Sequence, residues 1–157
     1  MRLPAPLIPV IVRSVKVIRL DAETRDVFLG DPRLGILSLL RPSGEPWAIP
    51  LWYGWDGKQV EMFSERRSLQ VRSLESDPRA CVLVTNIPPE PARWVAFEGR
   101  IRIRAEFGQD AAERLTRRYL SRASHLEIAE LLDFHRGRDL LQLMLEPHRI
   151  HTYAEVG

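Results

Sequence analysis

Cys81 is the only cysteine in the 157 residues, so no disulfide can form within the chain and no paired-thiol metal or redox motif is present. Lysine is almost as scarce: of 23 basic residues only Lys16 and Lys58 are not arginine, and 21 acidic residues leave a formal net charge of +2. A polybasic arm for nucleic acid is thereby excluded, because acidic residues are interleaved nearly everywhere. No run approaches the roughly 18 apolar residues that a membrane helix needs. The apolar start "MRLPAPLIPVIVRSVKVIRL" is broken by Pro4, Pro6, Pro9 and Arg13 and lacks a small-residue cleavage site, so no secretory signal is expected. A lone thiol without a signal points to the cytoplasm. Also missing are the G-x-S-x-G elbow, the G-x-x-x-x-G-K-[ST] phosphate loop and the G-x-G-x-x-G fingerprint, which excludes the hydrolase, nucleotidase and dinucleotide-binding chemistries built on them.

What is there reads as strands with helices inserted between them. "LDAETRDVFLG" predicts a short helix with Asp21 as N-cap and Gly30 just past its end. Strands are expected over 34–41 and 46–55, the second carrying Pro46 and Pro50. The Asp56-Gly57 hairpin signal leads into a third over 58–63, making a meander. A helix over 68–75 stops before Asp77-Pro78, and strands follow over "RACVLVTN" and 93–106. Arg100, Arg102 and Arg104 alternate with apolar residues, which predicts one buried and one wet face. Two helical segments fill 109–134, with Leu115 and Tyr119 on one apolar stripe and Leu126, Ala129 and Leu132 on another. Two closing strands join near Pro147. This order means a barrel or an α+β fold, divided into an N-terminal arm (1–20) and one domain (21–157).

Few groups suggest chemistry. His148 and His151 are three apart in an expected strand, so their rings point to opposite faces and no shared metal is expected. Trp47, Trp52, Trp55 and Trp94 could stack on bases, but the interleaved carboxylates favour a solvated face or a protein contact, so no nucleic-acid partner is expected. The exception is "MFSERRSLQ" (62–70), where a strand ends at Phe63, the backbone turns, and a helix begins near Ser68. Free amide N–H groups, hydroxyls and the Arg66 and Arg67 guanidinium groups converge there as a phosphate cradle would. Local chemistry leaves a second reading open: Ser68 caps the helix and the arginines are solvated.

The ordered set "AETRDVFL", "LGILSLL", "PSGEP", "AIPLWYGWDG", "VEMFS", "SLQVRSLESDPRA", "CVLV", "WVAFEGRIRI" and "LLQLMLEPHRIHTY" resembles the flavin-binding split-barrel family related to pyridoxamine 5'-phosphate oxidase, over about residues 22–153. The resemblance implies a mainly β (α+β) fold, a six- to seven-stranded antiparallel Greek-key split β-barrel with short flanking helices. It also implies a homodimer with cofactor sites across its interface and a small-molecule substrate. Members bind FMN or the deazaflavin coenzyme F420, and some relatives bind haem. By the same resemblance Ile49, Pro50, Leu51 and Trp52 would lie along the isoalloxazine ring. Ser64, Glu65, Arg66, Arg67 and Ser68 would hold the ribityl phosphate. Gln70 departs from the pattern, because many members carry a lysine there. An FMN-dependent oxidoreductase is therefore expected, with a deazaflavin-dependent reductase or a non-catalytic flavin or haem carrier as alternatives. The pyridoxamine phosphate reaction itself is not expected, because the family enzyme's closing Arg and His motif has no counterpart in "EPHRIHTYAEVG".

Overall fold

The computed structural model describes residues 15–156; residues 1–14, most of the expected arm, lie outside the described residues. The helix α1 (Ala22–Gly30) begins where its cap dictates, with Asp21 Oδ1 accepting the Thr24 N–H at 2.8 Å. It runs one residue further than expected, so that Gly30 closes it and Asp31 leaves in extended backbone ahead of Pro32.

Eight strands form one mostly antiparallel, unclosed sheet: β1 (Lys16–Ile18), β2 (Gly35–Leu40), β3 (Pro46–Leu51), β4 (Gly54–Trp55), β5 (Val60–Glu65), β6 (Arg79–Thr85), β7 (Arg93–Arg104) and β8 (Leu140–Val156). Their order is β3-β2-β6-β7-β8-β5-β4, with β1 paired to the far end of β8. The expected strand over 46–55 is in fact two. Chain direction changes at Trp52 and Tyr53, so β3 pairs with β2 at one end of the sheet while β4 forms the Asp56-Gly57 hairpin with β5 at the other. No meander of β2, β3 and β5 forms. The reason is Tyr53, which is wholly buried, donates its hydroxyl to Leu29 O, and pulls the chain across to the other end of the sheet.

The two closing strands are also one. β8 runs through Pro147 because its pairing with β7 shifts register between Glu98 and Gly99, which absorbs a residue that has no N–H to donate. Gly99 is required at that point, since a Cβ there would lie 2.1 Å from Glu146 O.

Alternate residues of the strands fill the interior: Leu37, Leu39, Val60, Met62, Val82, Val84, Val95, Phe97, Leu143 and Leu145 are buried. Three further helices flank the sheet: α2 (Leu69–Ser76), α3 (Gly108–Tyr119) and α4 (His125–Arg136). Val71 and Leu74 of α2 enter the core. Ala111, Ala112 and Leu115 of α3 are buried as that helix packs on β5 and β8. α4 begins with a capping box between Ser124 and Glu127. Its expected stripe is displaced, because Leu126 is 67% exposed and Ala129 is exposed. Of that stripe only Leu132 turns inward, joined by Ile128, Leu131 and His135, as the helix packs beside α3 and faces Phe63. No helix among the described residues is long and apolar enough to cross a membrane.

Candidate functional site

The cleft of interest opens between the end of β3 and β5, the two strands that the sheet order sets far apart and that curling brings together. Pro50, Leu51 and Trp52 line it from one side, Phe63 from the other, and Leu34, Leu131 and His135 complete a cavity of about 360 Å³. That is within the usual range of roughly 300–1,000 Å³ for a small-molecule site. Ile49 does not line it. Ile49 shares its strand face with Leu51 but sits one pair further along β3, half-buried against the core. Trp52 stacks on Tyr119 at 4.9 Å with 7° between the ring planes. Tyr119 is itself fixed, accepting the Tyr53 N–H and donating to Arg33 O. Burial pushes the neighbouring Tyr53 phenol up to about 12, so it stays protonated and serves as a structural donor.

Beside this cavity lies the turn from β5 into α2. Ser68 is the N-cap and accepts the Val71 N–H at 3.2 Å, as its position predicts. The Ser64 hydroxyl donates to Ser68 Oγ at 3.0 Å and accepts from Gln70 Nε2 at 2.7 Å. Gln70 thus completes a network under the turn, and Ser64 is only 6% exposed. The first turn of α2 leaves the N–H groups of Leu69 and Gln70 without an intrahelical acceptor.

The arginines are not equivalent. Arg66 Nε donates to Asp139 Oδ2 at 2.7 Å, above a backbone bond from Arg66 N to Asp139 O at 2.9 Å. Glu65 pairs with Arg138, whose guanidinium lies 4.1 Å above the Phe134 ring. Arg67 has no ion-pair partner among the described residues and lines an open groove with Glu65, Arg66, Phe134, Gly137, Arg138 and Asp139. Both readings of the corner are therefore partly realised: Ser68 caps, Arg66 is neutralised from across the fold, and Arg67 remains exposed.

The chain order shows how cavity and groove adjoin. Phe63 and Glu65 are on one face of β5, and His135 and Phe134 are neighbours on α4. Sequence reasoning missed His135, Leu131, Phe134, Arg138 and Asp139, since each meets the corner from about seventy residues away, as the separation of 73 between Arg66 and Asp139 illustrates. Only the phenylalanine beside His135 hinted at an apolar setting.

A third feature adjoins the cavity at Pro50. Across five strands the in-register row Pro50, Ile36, Leu83, Ala96 and His151 faces outward, flanked by the row Ala48, Ser38, Cys81, Glu98 and Arg149. None of these side chains is fully buried, and Trp94 and Tyr153 stack in parallel at 5.7 Å alongside them. His151 Nε2 lies 2.8 Å from Glu98 Oε1 within the same face.

The model of the family described as pyridoxamine 5'-phosphate oxidase matches residues 20–152. Among curated proteins no sequence matches significantly. Among solved structures the chain is similar to a conserved hypothetical protein from Mycobacterium tuberculosis, at 23% identity and a TM-score of 0.69, over 88% of this chain and 86% of that one. It is similar to an F420 reductase at 21% identity and a TM-score of 0.64, over 80% and 94%. It is also similar to an FAD-binding protein from Mesorhizobium loti at 16% identity and a TM-score of 0.64, over 92% and 100%. At these identities the likeness carries the fold.

Proposed function

The chain belongs to the pyridoxamine 5'-phosphate oxidase family, and from that premise we propose that it is a homodimeric, FMN-binding oxidoreductase of the cytoplasm acting on a small molecule. The observation that carries this reading is the junction of an apolar, aromatic cavity with the turn into a helix N-terminus, where Arg67 is exposed. A ligand with a planar ring at one end and a phosphate at the other matches that junction.

The residues present fit FMN. Arg67, the Ser68 hydroxyl and the N–H groups of Leu69 and Gln70 would hold the phosphate, helped by the positive end of α2. Pro50, Leu51 and Trp52 would flank the ring, with Trp52 immobilised by Tyr119. When bound, FMN supplies the hydride or electron transfer, so the protein need not provide a nucleophile. The chain's own work is then to orient the ring, to exclude water through Leu34, Phe63 and Leu131, and to hold the phosphate. The outward face of the sheet supports a dimer, because one row of it is apolar at Pro50, Ile36, Leu83 and Ala96, with Trp94 beside it, and runs without a break from the cavity.

The deazaflavin coenzyme is the second reading, favoured by the likeness to an F420 reductase and by Gln70, which puts an amide where a lysine would add charge to the phosphate site. Absorbance of the freshly purified protein, followed by titration with each cofactor, separates the two. A flavin spectrum or tight FMN uptake is expected. Uptake of the deazaflavin alone selects the second reading, and a dimer that takes up neither overturns both in favour of a carrier of another ligand. Sedimentation as a monomer at micromolar concentration would refute the dimer.

A further inference from the structure

Tyr119, the last residue of α3, reaches the rim of the cavity between β3 and β5 without lining it. The ladder between β2 and β3 explains what it does there. Ile36 lies opposite Pro50 and Leu40 opposite Pro46, and a proline cannot exchange two backbone hydrogen bonds. The bonded pairs are therefore Gly35 with Leu51, Leu37 with Ile49 and Leu39 with Trp47. The same alternation carries on into the turn, where Arg41 N–H donates to Glu45 O at 2.9 Å. At the other end the next bonded pair would be Arg33 with Tyr53, closed by a bond from Tyr53 N–H to Arg33 O.

No such backbone bond is made among the described residues. The Tyr119 hydroxyl stands in its place, accepting the Tyr53 N–H at 3.1 Å and donating to Arg33 O. Two bonds in series hold the backbones further apart than one would, and the residues between this opened pair and the last closed one are Leu34 and Trp52, both of which line the cavity. The inserted phenol is itself held firmly. Its ring stacks on Trp52, and because the cavity touches Trp52 but not Tyr119, it backs the indole from the far side. Arg118 Nη2 donates to Leu29 O at 2.7 Å and to Asp31 O at 3.0 Å, which docks the last turn of α3 on the segment leading to Arg33. Burial holds the Tyr119 phenol above its ordinary range, so it keeps the proton it donates.

We propose that Tyr119 is the positioning residue of this cavity: its hydroxyl, inserted where a ladder bond would close, keeps Leu34 and Trp52 apart and the cavity open to a flat, uncharged ring. The inference rests on the flavin reading only where FMN serves as the ring.

The test is titration of the full chain with FMN and, separately, with 1,4-naphthoquinone as an uncharged planar probe, followed by fluorescence, in the parent and in Tyr119→Phe. Phenylalanine keeps the ring behind Trp52 and removes the inserted oxygen. Both ligands should bind about threefold to tenfold more weakly, and since Tyr119 does not line the cavity the loss reports position and not a missing contact. A hydroxyl that only stabilised the fold would lower the urea midpoint and leave both affinities alone. The accompanying structural signature is a scalar coupling across a direct hydrogen bond from Tyr53 ¹⁵N to the Arg33 carbonyl carbon, absent in the parent and present in the variant. If the parent takes up no FMN, the flavin reading fails by itself, and naphthoquinone decides this one. Should Tyr119→Phe fail to fold, naphthoquinone has to shift the Leu34 methyl, Trp52 indole and Tyr53 amide signals of the parent together. Equal affinities in parent and variant, absence of naphthoquinone binding, absence of the new coupling, or unmoved parent signals would overturn the proposal and leave Tyr119 as packing for α3.

Discussion

Phe63 and Glu65 stand two residues apart on one face of β5, and His135 and Phe134 adjoin on α4, yet each pair divides between surroundings of opposite character. Phe63 and His135 border a cavity without a formal charge, and the buried His135 imidazole has no hydrogen-bond partner among the described residues. Glu65 and Phe134 border a groove with three guanidinium groups and two carboxylates, where Arg66 and Arg138 already have partners and every ion pair is solvated. A single heteroatom matters in the first region because the local dielectric is low. In the second a single charge is worth little, since exposed pairs contribute about 0–1 kcal/mol and exchange partners readily. Ring recognition should therefore resist salt, and anion recognition should not.

The largest expected effect lies in the cavity. Trp52→Ala deletes the ring stacked on Tyr119 and opens the cleft, which should destabilise the fold by about 2–4 kcal/mol in urea unfolding. A cost near zero would mean that the cavity wall is not rigid. Next comes the groove: Arg66→Ala combined with Arg67→Ala should lower FMN affinity about tenfold to a hundredfold and leave unfolding nearly unchanged, because both side chains are exposed. Equal affinity at low salt would reduce the corner to a capped helix.

Acid probes the cavity again. The folded-state pKa of His135 is below its ordinary 6.5, so in acid the unfolded chain takes up a proton first. Stability is therefore fully present above 6.5 and declines as pH falls through the window beneath it. Melting temperatures at pH 7.5 and 5 should differ in the parent by more than in His135→Phe.

Smaller effects return to the groove. Gln70→Lys can still donate to Ser64 Oγ and adds a charge beside the phosphate-binding turn, so FMN should bind about threefold to tenfold tighter, with the gain vanishing at high salt. Asp139→Asn removes the carboxylate that competes for Arg66. About a twofold gain in affinity is expected, which isothermal titration can resolve. A loss in either variant would show that the ion pairs position the corner instead of competing for its ligand.

Much of the frame was legible because its causes are local. Asp21 and Ser68 cap helices where a hydroxyl or carboxylate can reach an N–H three residues on. Asp56-Gly57 closes a hairpin because Gly57 takes φ +94° without strain. The candidate corner was visible as an accumulation of donors, and the ordered elements pointed to the family. The break at Trp52 was not legible, since both halves of 46–55 alternate well and only the burial of Tyr53 against Leu29 decides that the chain must turn. Nor was the inward face of α4: Leu126 and Leu131 satisfy helical spacing equally, and docking beside α3 and Phe63 selects between them.

The sequence by itself determined where the capped helices α1 and α2 begin, which strand faces are apolar, and that donors accumulate between Ser64 and Gln70. All of these follow from hydrogen bonds and side-chain periods spanning a few residues. Only the tertiary structure decided that Arg66 is neutralised by Asp139, that Trp52 stacks on Tyr119, and that His135 is buried beside an apolar cavity. Such outcomes depend on which distant segments the closing sheet brings within about 3 Å of one another, and hydrogen bonds and ion pairs act only at that range.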